Sequence, residues 1–515
     1  MNSPARLSVL LAEPVGTIAP ALHGQFAEHL GELVYPGIWV DPDATVPNVG
    51  GIRSDVVDAL LPLRVPVLRW PGGCFADDYH WRDGVGPRSE RPRRLNTHWG
   101  MAPEPNHFGT HEFLAFARAI GAESYFAANL GSDTAGNLRD WIEYCNHPSG
   151  STLSDERRAN GAKEPFGVRY WGIGNENWGC GGRMSPEAYA EEFARYRTFA
   201  FGFGGTSVEA IACGPNGNDW AWTRRFFDRL TAGTAGSGSR LGSVQGFAAH
   251  YYCGTAGTAT EYTESQWLEL LTKAAAVETI ITGHRSLMDE VDPDRRIGLI
   301  LDEWGAWHPV EPGKPASGLY QQNTMRDACV AAISLDVFHN HADQLTMANI
   351  AQLINVLQSM LLVDETHCVT TPTYHVFELY TEHQGGQAVR VVNASEVIST
   401  GEASAQACRE LSRDRGPAQL RAVSGSASVR DRRLCLTLVN AHPREPAELD
   451  VEFVGGSPGD ASLITLAADD LHAYNSFDEP DRVRPGAPGT ASVTDGRLRT
   501  VLPPASVTRA LAPLG

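Results

Sequence analysis

Residues 168–182 read VRYWGIGNENWGCGG. The run opens as a short apolar strand and closes, through Gly174, on the polar triplet Asn175, Glu176 and Asn177. Residues 297–305, IGLILDEWG, repeat the design: an apolar strand that ends on Asp302 and Glu303 ahead of a Trp-Gly pair. A strand that is apolar throughout is buried on both faces, as in a parallel sheet covered by helices. Polar residues at its C-terminal end mark the face on which such sheets carry chemistry.

Working outward, six more runs have this character: 22–27 (LHGQFA), 65–70 (VPVLRW), 124–129 (SYFAAN), 209–213 (EAIAC), 246–251 (GFAAHY) and 345–350 (LTMANI). Helix-like stretches lie between them. One covers 111–120. Another covers 185–201 and opens on Ser185-Pro186-Glu187, a cap followed by a proline suited to the first helical position. A third covers 321–339, with Met325, Cys329, Ile333 and Val337 at helical spacing. Eight strands interleaved with helices predict an α/β fold built on a (β/α)8 TIM barrel, over residues 21–374. A doubly wound open sheet is the rival. It calls for a Gly-rich phosphate turn after the first strand, and HGQFAEHLG at 23–31 is not one.

From residue 375 to 515 the texture changes to β-rich runs such as AVRVVNAS (388–395) and AELDVEFV (447–454), separated by Gly, Pro, Asp and Ser. This predicts a C-terminal antiparallel β-sandwich. Residues 1–20 are strand-like and are expected to be able to add to that sandwich.

Composition narrows the function. Of 515 residues, 42% are hydrophobic, enough for large cores. Lys+Arg number 42 against 61 Asp+Glu, a net charge of −19. That balance argues against nucleic-acid or anionic-membrane partners. No run reaches the roughly 18 apolar residues that span a bilayer. The apolar run at 7–12 is broken by Glu13 and Pro14, with no small-residue cleavage site after it, so a cytoplasmic protein is expected. The nine Cys are odd in number and form no CxxC pair, which predicts reduced thiols. Cys180 has no basic or histidyl sequence neighbour and is read as inert. The 17 His include no HxxxH or HxH pair at a strand end, so a catalytic metal is not expected. Residues 233–238 (GTAGSG) read as a surface linker.

In a barrel, the fourth and seventh strands face each other across the mouth. A lone Glu at a strand end is commonly a solvated or salt-bridged residue. Glu176 and Glu303 occupy matching strand ends, each followed by an aromatic residue. Such a pair can flank one bond, as glycoside hydrolysis requires: one carboxyl to protonate the leaving oxygen and one to meet the oxocarbenium-like centre. The other strand ends suit a sugar-sized pocket. Asn175 can bond a hydroxyl beside the reacting carbon, and Trp178 and Trp304 can wall a sugar face. The first strand gives Glu28 and His29. The second gives Arg69, able to hold a carboxylate ionised, then Gly72, Gly73 and Cys74. The sixth gives His250, Tyr251 and Tyr252, and the eighth leads to Asn349 and Gln352. Trp99 is a platform candidate on a long loop. A carbohydrate-binding protein without turnover is the alternative from another class, and the presence of both Glu argues against it.

The chain resembles the α-L-arabinofuranosidases of glycoside hydrolase family 51. The resemblance rests on GQFAEHLG (24–31), LRWPGGCFADDYHWRDGVGPRSERP (68–92), FGTHEFLAF (108–116), YWGIGNENWGCGG (170–182), LDEWGAWH (301–308) and ANIAQLINVLQSM (348–360). It implies retaining release of terminal α-L-arabinofuranosyl groups from arabinose-containing oligosaccharides, without a cofactor, by a homo-oligomer that is frequently a hexamer. By motif position it makes Glu176 the general acid/base and Glu303 the nucleophile. It places Glu28, Arg69, Cys74 (largely through its backbone), Asn175, Tyr252 and Gln352 around the sugar, and Trp99 on the leaving-group side. The segment LGELVYPGIW (30–39) departs from the family's more basic, Cys-containing LGRCIYGGI, with Glu32 and Pro36 at the outer rim. The family also holds β-xylosidases and endoglucanases, and a β-D-galactofuranosidase shares the ring stereochemistry, so the sugar is not fixed by the two Glu alone.

Overall fold

The computed structural model describes residues 4–233, 238–254, 256–398 and 419–515. Most of the linker expected at 233–238, and Cys408, lie outside the described residues.

Eight parallel strands close into a barrel: Gly24–Phe26, Val67–Trp70, Glu123–Ala128, Tyr170–Ile173, Glu209–Asn216, Gly246–Gly254, Gly298–Trp307 and Leu345–Ile350. They are numbered first to eighth below, and the eighth pairs with the first. Each falls on one of the eight apolar runs. The barrel interior is filled by side chains, with Val67, Tyr125, Ile211, Ala248, Ile300 and Met347 in one cluster. The helix Pro186–Phe199 starts as its sequence predicts, with the Ser185 side chain accepting from Ala188 N. The helix Met325–Asn340 is buried nearly all round, because it packs against the barrel and against strands of the second sheet. That double burial explains why its apolar pattern is broad rather than one-sided.

The second sheet has ten strands and is mostly antiparallel. Ala5–Thr17 lies in its interior, antiparallel to Gln387–Asn393 and parallel to Ala447–Val454. Leu7, Val9 and Val451 share one apolar core with Leu436, Leu438 and Ala510 from the other limb, so the sheet curls over on itself as a sandwich does. A polar seam joins barrel and sheet. Asp336 Oδ1 accepts from Ser426 (2.7 Å), Thr437 (2.7 Å) and Tyr380 (3.0 Å), while His339 meets His23 at 2.9 Å and Ser426 at 3.0 Å. The helix Pro372–Tyr380 runs through residue 374.

One irregularity positions the chemistry. Ala249 pairs with Leu301, but the next residue, His250, pairs with Glu303. The seventh strand therefore carries one extra residue, Asp302, and the same slip recurs against the eighth strand. A bulge of this kind re-aims the side chains that follow it.

Candidate active site

Strict alternation along the seventh strand would send Glu303 outward, because Ile300 faces the barrel interior. With Asp302 inserted, both acids reach inward. Asp302 accepts from Tyr125 (2.8 Å) and Asn349 (3.0 Å). Glu303 Oε1 accepts from Arg69 at 2.8 Å and its Oε2 accepts from the Tyr252 hydroxyl at 2.8 Å. Arg69, 1% exposed, lies over the Phe26 ring at 4.5 Å and also donates to Asn175 Oδ1 at 2.6 Å.

Glu176 follows the fourth strand with φ of +41°, in the left-handed region that costs a non-glycine residue of order 1–3 kcal/mol. Its Oε1 is 3.0 Å from His250 Nδ1, and the same nitrogen is 3.5 Å from Glu303 Oε2. A carboxylate oxygen of Glu176 and one of Glu303 lie within 4.8 Å of each other, with His250 between. The turn is anchored from below. Asp77 accepts from the backbone N–H of Leu130 (2.7 Å), Gly131 (2.8 Å) and Asn175 (2.8 Å), tying three loops together.

Glu28 closes the pocket beside the first strand. Its carboxylate accepts from Phe75 N (3.0 Å), Trp99 Nε1 (3.0 Å) and Gln352 Nε2 (3.1 Å). Gly72 and Gly73 pass between the acids. A Cβ on Gly73 would come within 3.0 Å of Glu303 Oε1, and one on Gly72 within 2.7 Å of Glu28 Cγ. The buried Asn175 Nδ2 has no hydrogen-bond partner among the described residues and is available to donate to a ligand.

Electrostatics separate the acids. Burial raises the Glu303 carboxyl, but His250, Arg69 and the hydrogen bonds from Arg69 and Tyr252 outweigh it and hold it below the usual carboxylate range. Glu28 is raised, first by burial and then by the charge of Glu303. Burial works against a charged His250, yet the Glu303 and Glu176 carboxylates lift it above the ordinary imidazole value.

The structure thus gathers Glu28, Arg69, Cys74, Trp99, Asn175, Glu176, His250, Tyr252, Glu303 and Gln352 at one end of the barrel. Four sequence expectations need correction. Trp304 is no sugar wall: it is 1% exposed and packs on Phe338 and Phe377, because it points away from the barrel axis. Its place at the mouth is taken by Trp307, edge-on to Tyr252 at 5.0 Å. Tyr251 turns outward to the Lys273 carbonyl. His29 and Asn349 are buried supports rather than lining, His29 pairing with Glu104 at 2.8 Å and Asn349 with Asp302. Finally, Cys74 and Cys180 are not reduced thiols: they form a disulfide with Cα atoms 5.5 Å apart, across 106 residues of chain. Linear spacing gives no sign of it, because the loops after the second and fourth strands come together only once the third strand is laid between those strands. Asp77 carries no sequence signal either, since nothing in GGCFADD separates it from Asp78.

Comparison with known proteins places this geometry. The family described as the α-L-arabinofuranosidase C-terminal domain matches residues 302–506, and the α-L-arabinofuranosidase 1 domain matches residues 59–228. An intracellular exo-α-L-arabinofuranosidase of Bacteroides ovatus is 40% identical over 95% of this chain and 92% of its own. The crystal structure of the family 51 arabinofuranosidase of Xanthomonas axonopodis pv. citri superposes with a TM-score of 0.92 at 36% identity, covering 99% of this chain and 100% of that one. The chain belongs to the α-L-arabinofuranosidases of glycoside hydrolase family 51. A more distant family 51 arabinofuranosidase, from Bifidobacterium longum, gives a TM-score of 0.85 at 26% identity over 99% of this chain and 100% of that one. As a family 51 chain it has, among its described residues, no helix long and apolar enough to cross a membrane.

Proposed function

We propose that the chain is a retaining, exo-acting α-L-arabinofuranosidase that frees terminal arabinofuranosyl groups from short oligosaccharides. One observation carries this reading: two carboxylates within 4.8 Å of each other, of which Glu303 is clamped in its ionised form. Retaining glycosidases hold their pair about 5–5.5 Å apart, whereas inverting ones leave about 6.5–9.5 Å for a water.

Glu303, ionised between Arg69 and Tyr252, attacks the anomeric carbon. Glu176 gives its proton to the leaving oxygen, and a glycosyl ester forms on Glu303 with inversion. Esterification removes the negative charge of Glu303, and Glu176, having given up its proton, is left as the base. Glu176 then takes a proton from water, which attacks with a second inversion. His250, within reach of both acids, stays beside the charge as it passes between them. Asn175 Nδ2, Glu28 and Gln352 bind the sugar hydroxyls, Cys74 contributes through its backbone, and Trp99 stands at the rim. The name of the Bacteroides ovatus relative supports placing the reaction inside the cell, in the cytoplasm. The family resemblance supports a homo-oligomer, frequently a hexamer in that family, and light scattering measures its size.

A panel of 4-nitrophenyl furanosides and pyranosides tests the reading. The α-L-arabinofuranoside should be the best substrate, with the β-configured product sugar absent at early times. A higher kcat/KM for a β-D-galactofuranoside or β-D-xylopyranoside would reassign the sugar.

A further inference from the structure

Beside Glu176, the Cys74–Cys180 bridge joins the loop after the second barrel strand to the loop after the fourth. Glu176 Oε2 lies 3.5 Å from Cys180 Sγ and 4.0 Å from Cys74 Sγ. All three residues are only partly buried, so the cluster opens toward solvent. The described family 51 mechanism uses neither sulfur.

Two sulfurs and a carboxylate are a ligand set for a thiophilic divalent cation. Tetrahedral zinc, with Zn–S of about 2.3 Å and Zn–O of about 2.1 Å, sets S···O separations of about 3.6 Å and an S···S separation of about 3.8 Å. The two S···O distances already bracket that value. What zinc needs beyond them is cleavage of the S–S bond and modest side-chain rotation. We propose that the Cys74–Cys180 pair, once reduced, forms with Glu176 a binding site for one thiophilic divalent cation, of which Zn2+ is the type, and that its occupation silences the enzyme.

The chemistry balances with a dithiol as reductant. The dithiol gives two electrons and two protons to the bridge. The S–S bond breaks, two thiols form, and the dithiol leaves as its cyclic disulfide. Zinc then displaces the two thiol protons, and the Glu176 carboxylate supplies a third ligand, leaving a fourth position for water. A carboxylate held by the cation cannot donate a proton to the leaving oxygen. This inhibitory half rests on Glu176 as acid/base; the metal-binding half does not.

The test uses the full chain in two redox states. One sample is kept oxidised, the other is reduced with a dithiol and desalted without air, and thiol counts establish a difference of two. Each is titrated with Zn2+ against a chromophoric chelator, and hydrolysis of an aryl arabinofuranoside is followed in parallel. The reduced enzyme should bind one additional zinc and lose activity at least about 10-fold, with recovery on adding excess chelator. Cys180→Ala, treated identically and referred to its own zinc-free rate, should bind zinc about 100-fold more weakly than reduced wild type. Circular dichroism confirms that this variant is folded. If it is not, Cys180→Ser serves as the second variant. Three results would overturn the proposal: no extra zinc on reduction, undiminished zinc affinity in the folded variant, or equal inhibition of the oxidised enzyme. The last would place the cation on Glu176, His250 and Glu303, which also come within 4.8 Å of one another. Tight zinc binding without activity loss would keep the site and remove Glu176 from the acid/base role.

Discussion

Asp302 and Glu303 are chain neighbours, yet both pair with the same guanidinium, Arg69, at 3.2 Å and 2.8 Å. Successive residues of a regular strand cannot do this, since they point to opposite faces. The bulge at Asp302 makes it possible, and so places a buried cation against the Glu303 carboxylate.

Glu303→Ala should remove nearly all turnover, by on the order of 10³-fold or more, because no glycosyl ester can form. Added azide should restore part of the rate and yield a glycosyl azide of inverted configuration, read by NMR. Near-native turnover without azide would take Glu303 out of the role.

In Glu176→Ala the loss should depend on the leaving group. Sugar and alkyl leaving groups, which need protonation, should slow by about 10²–10⁴-fold. A 2,4-dinitrophenolate should leave almost normally and give a burst as the glycosyl ester accumulates. Azide should then speed turnover with retained configuration. Equal fractional losses for good and poor leaving groups would make another residue the proton donor.

Tyr252→Phe removes one of the donors that hold Glu303 below the usual carboxylate range. Glu303 must be ionised to attack, so activity falls as pH drops through its titration. Losing the donor raises that titration, and the acidic limb of kcat/KM should move to higher pH. A hydrogen bond to a charged group is worth about 1.5–3 kcal/mol, or roughly 10–150-fold in kcat/KM. An unmoved acidic limb would show that Tyr252 does not act on Glu303.

Asp336, in the seam between barrel and sheet, is pushed up to about 7 by burial, against the pull of Ser426, Thr437 and Tyr380. Its folded form therefore holds a proton more tightly than an unfolded chain does. The resulting stabilisation is complete below about pH 4 and disappears as pH rises through about 7, an effect of order 2–4 kcal/mol. Asp336→Asn cannot ionise, so thermal unfolding from pH 5 to 8 should fall less steeply than in wild type. Parallel slopes would assign the dependence elsewhere.

If the substrates are short imported oligosaccharides, kcat/KM should be higher on an arabino-oligosaccharide than on intact arabinoxylan. Reducing-sugar assays on the two, at matched arabinosyl content, decide it.

The strand ends were legible because burial on both faces writes an uninterrupted apolar run, and chemistry follows directly where the run stops. Glu176, Glu303, Arg69 and Tyr252 were found this way. The bulge was not legible, since Leu301-Asp302-Glu303 reads the same with or without it, and Trp304 was misplaced for that reason. Asp77 and the Cys74–Cys180 bridge depend on contacts between loops that only the pairing of the second, third and fourth strands brings together. The barrel–sheet seam around His23, Asp336 and His339 was equally silent, because an isolated polar residue in an apolar run carries no record of its distant partner.

The strand Ala5–Thr17 occupies an interior place in a sheet whose flanking strands, Gln387–Asn393 and Ala447–Val454, come hundreds of residues later. At about 5–20 residues per second of synthesis, it waits tens of seconds for either neighbour. Until then it is an apolar ribbon with both hydrogen-bonding edges bare, open to pairing with another nascent chain. The barrel strands are all synthesised well before the last sheet strand, which ends at Pro513. Yield from a cell should therefore hinge on how the first strand is shielded during translation, and a solubilising fusion ahead of Ala5 should raise recovery more than one placed behind Pro513.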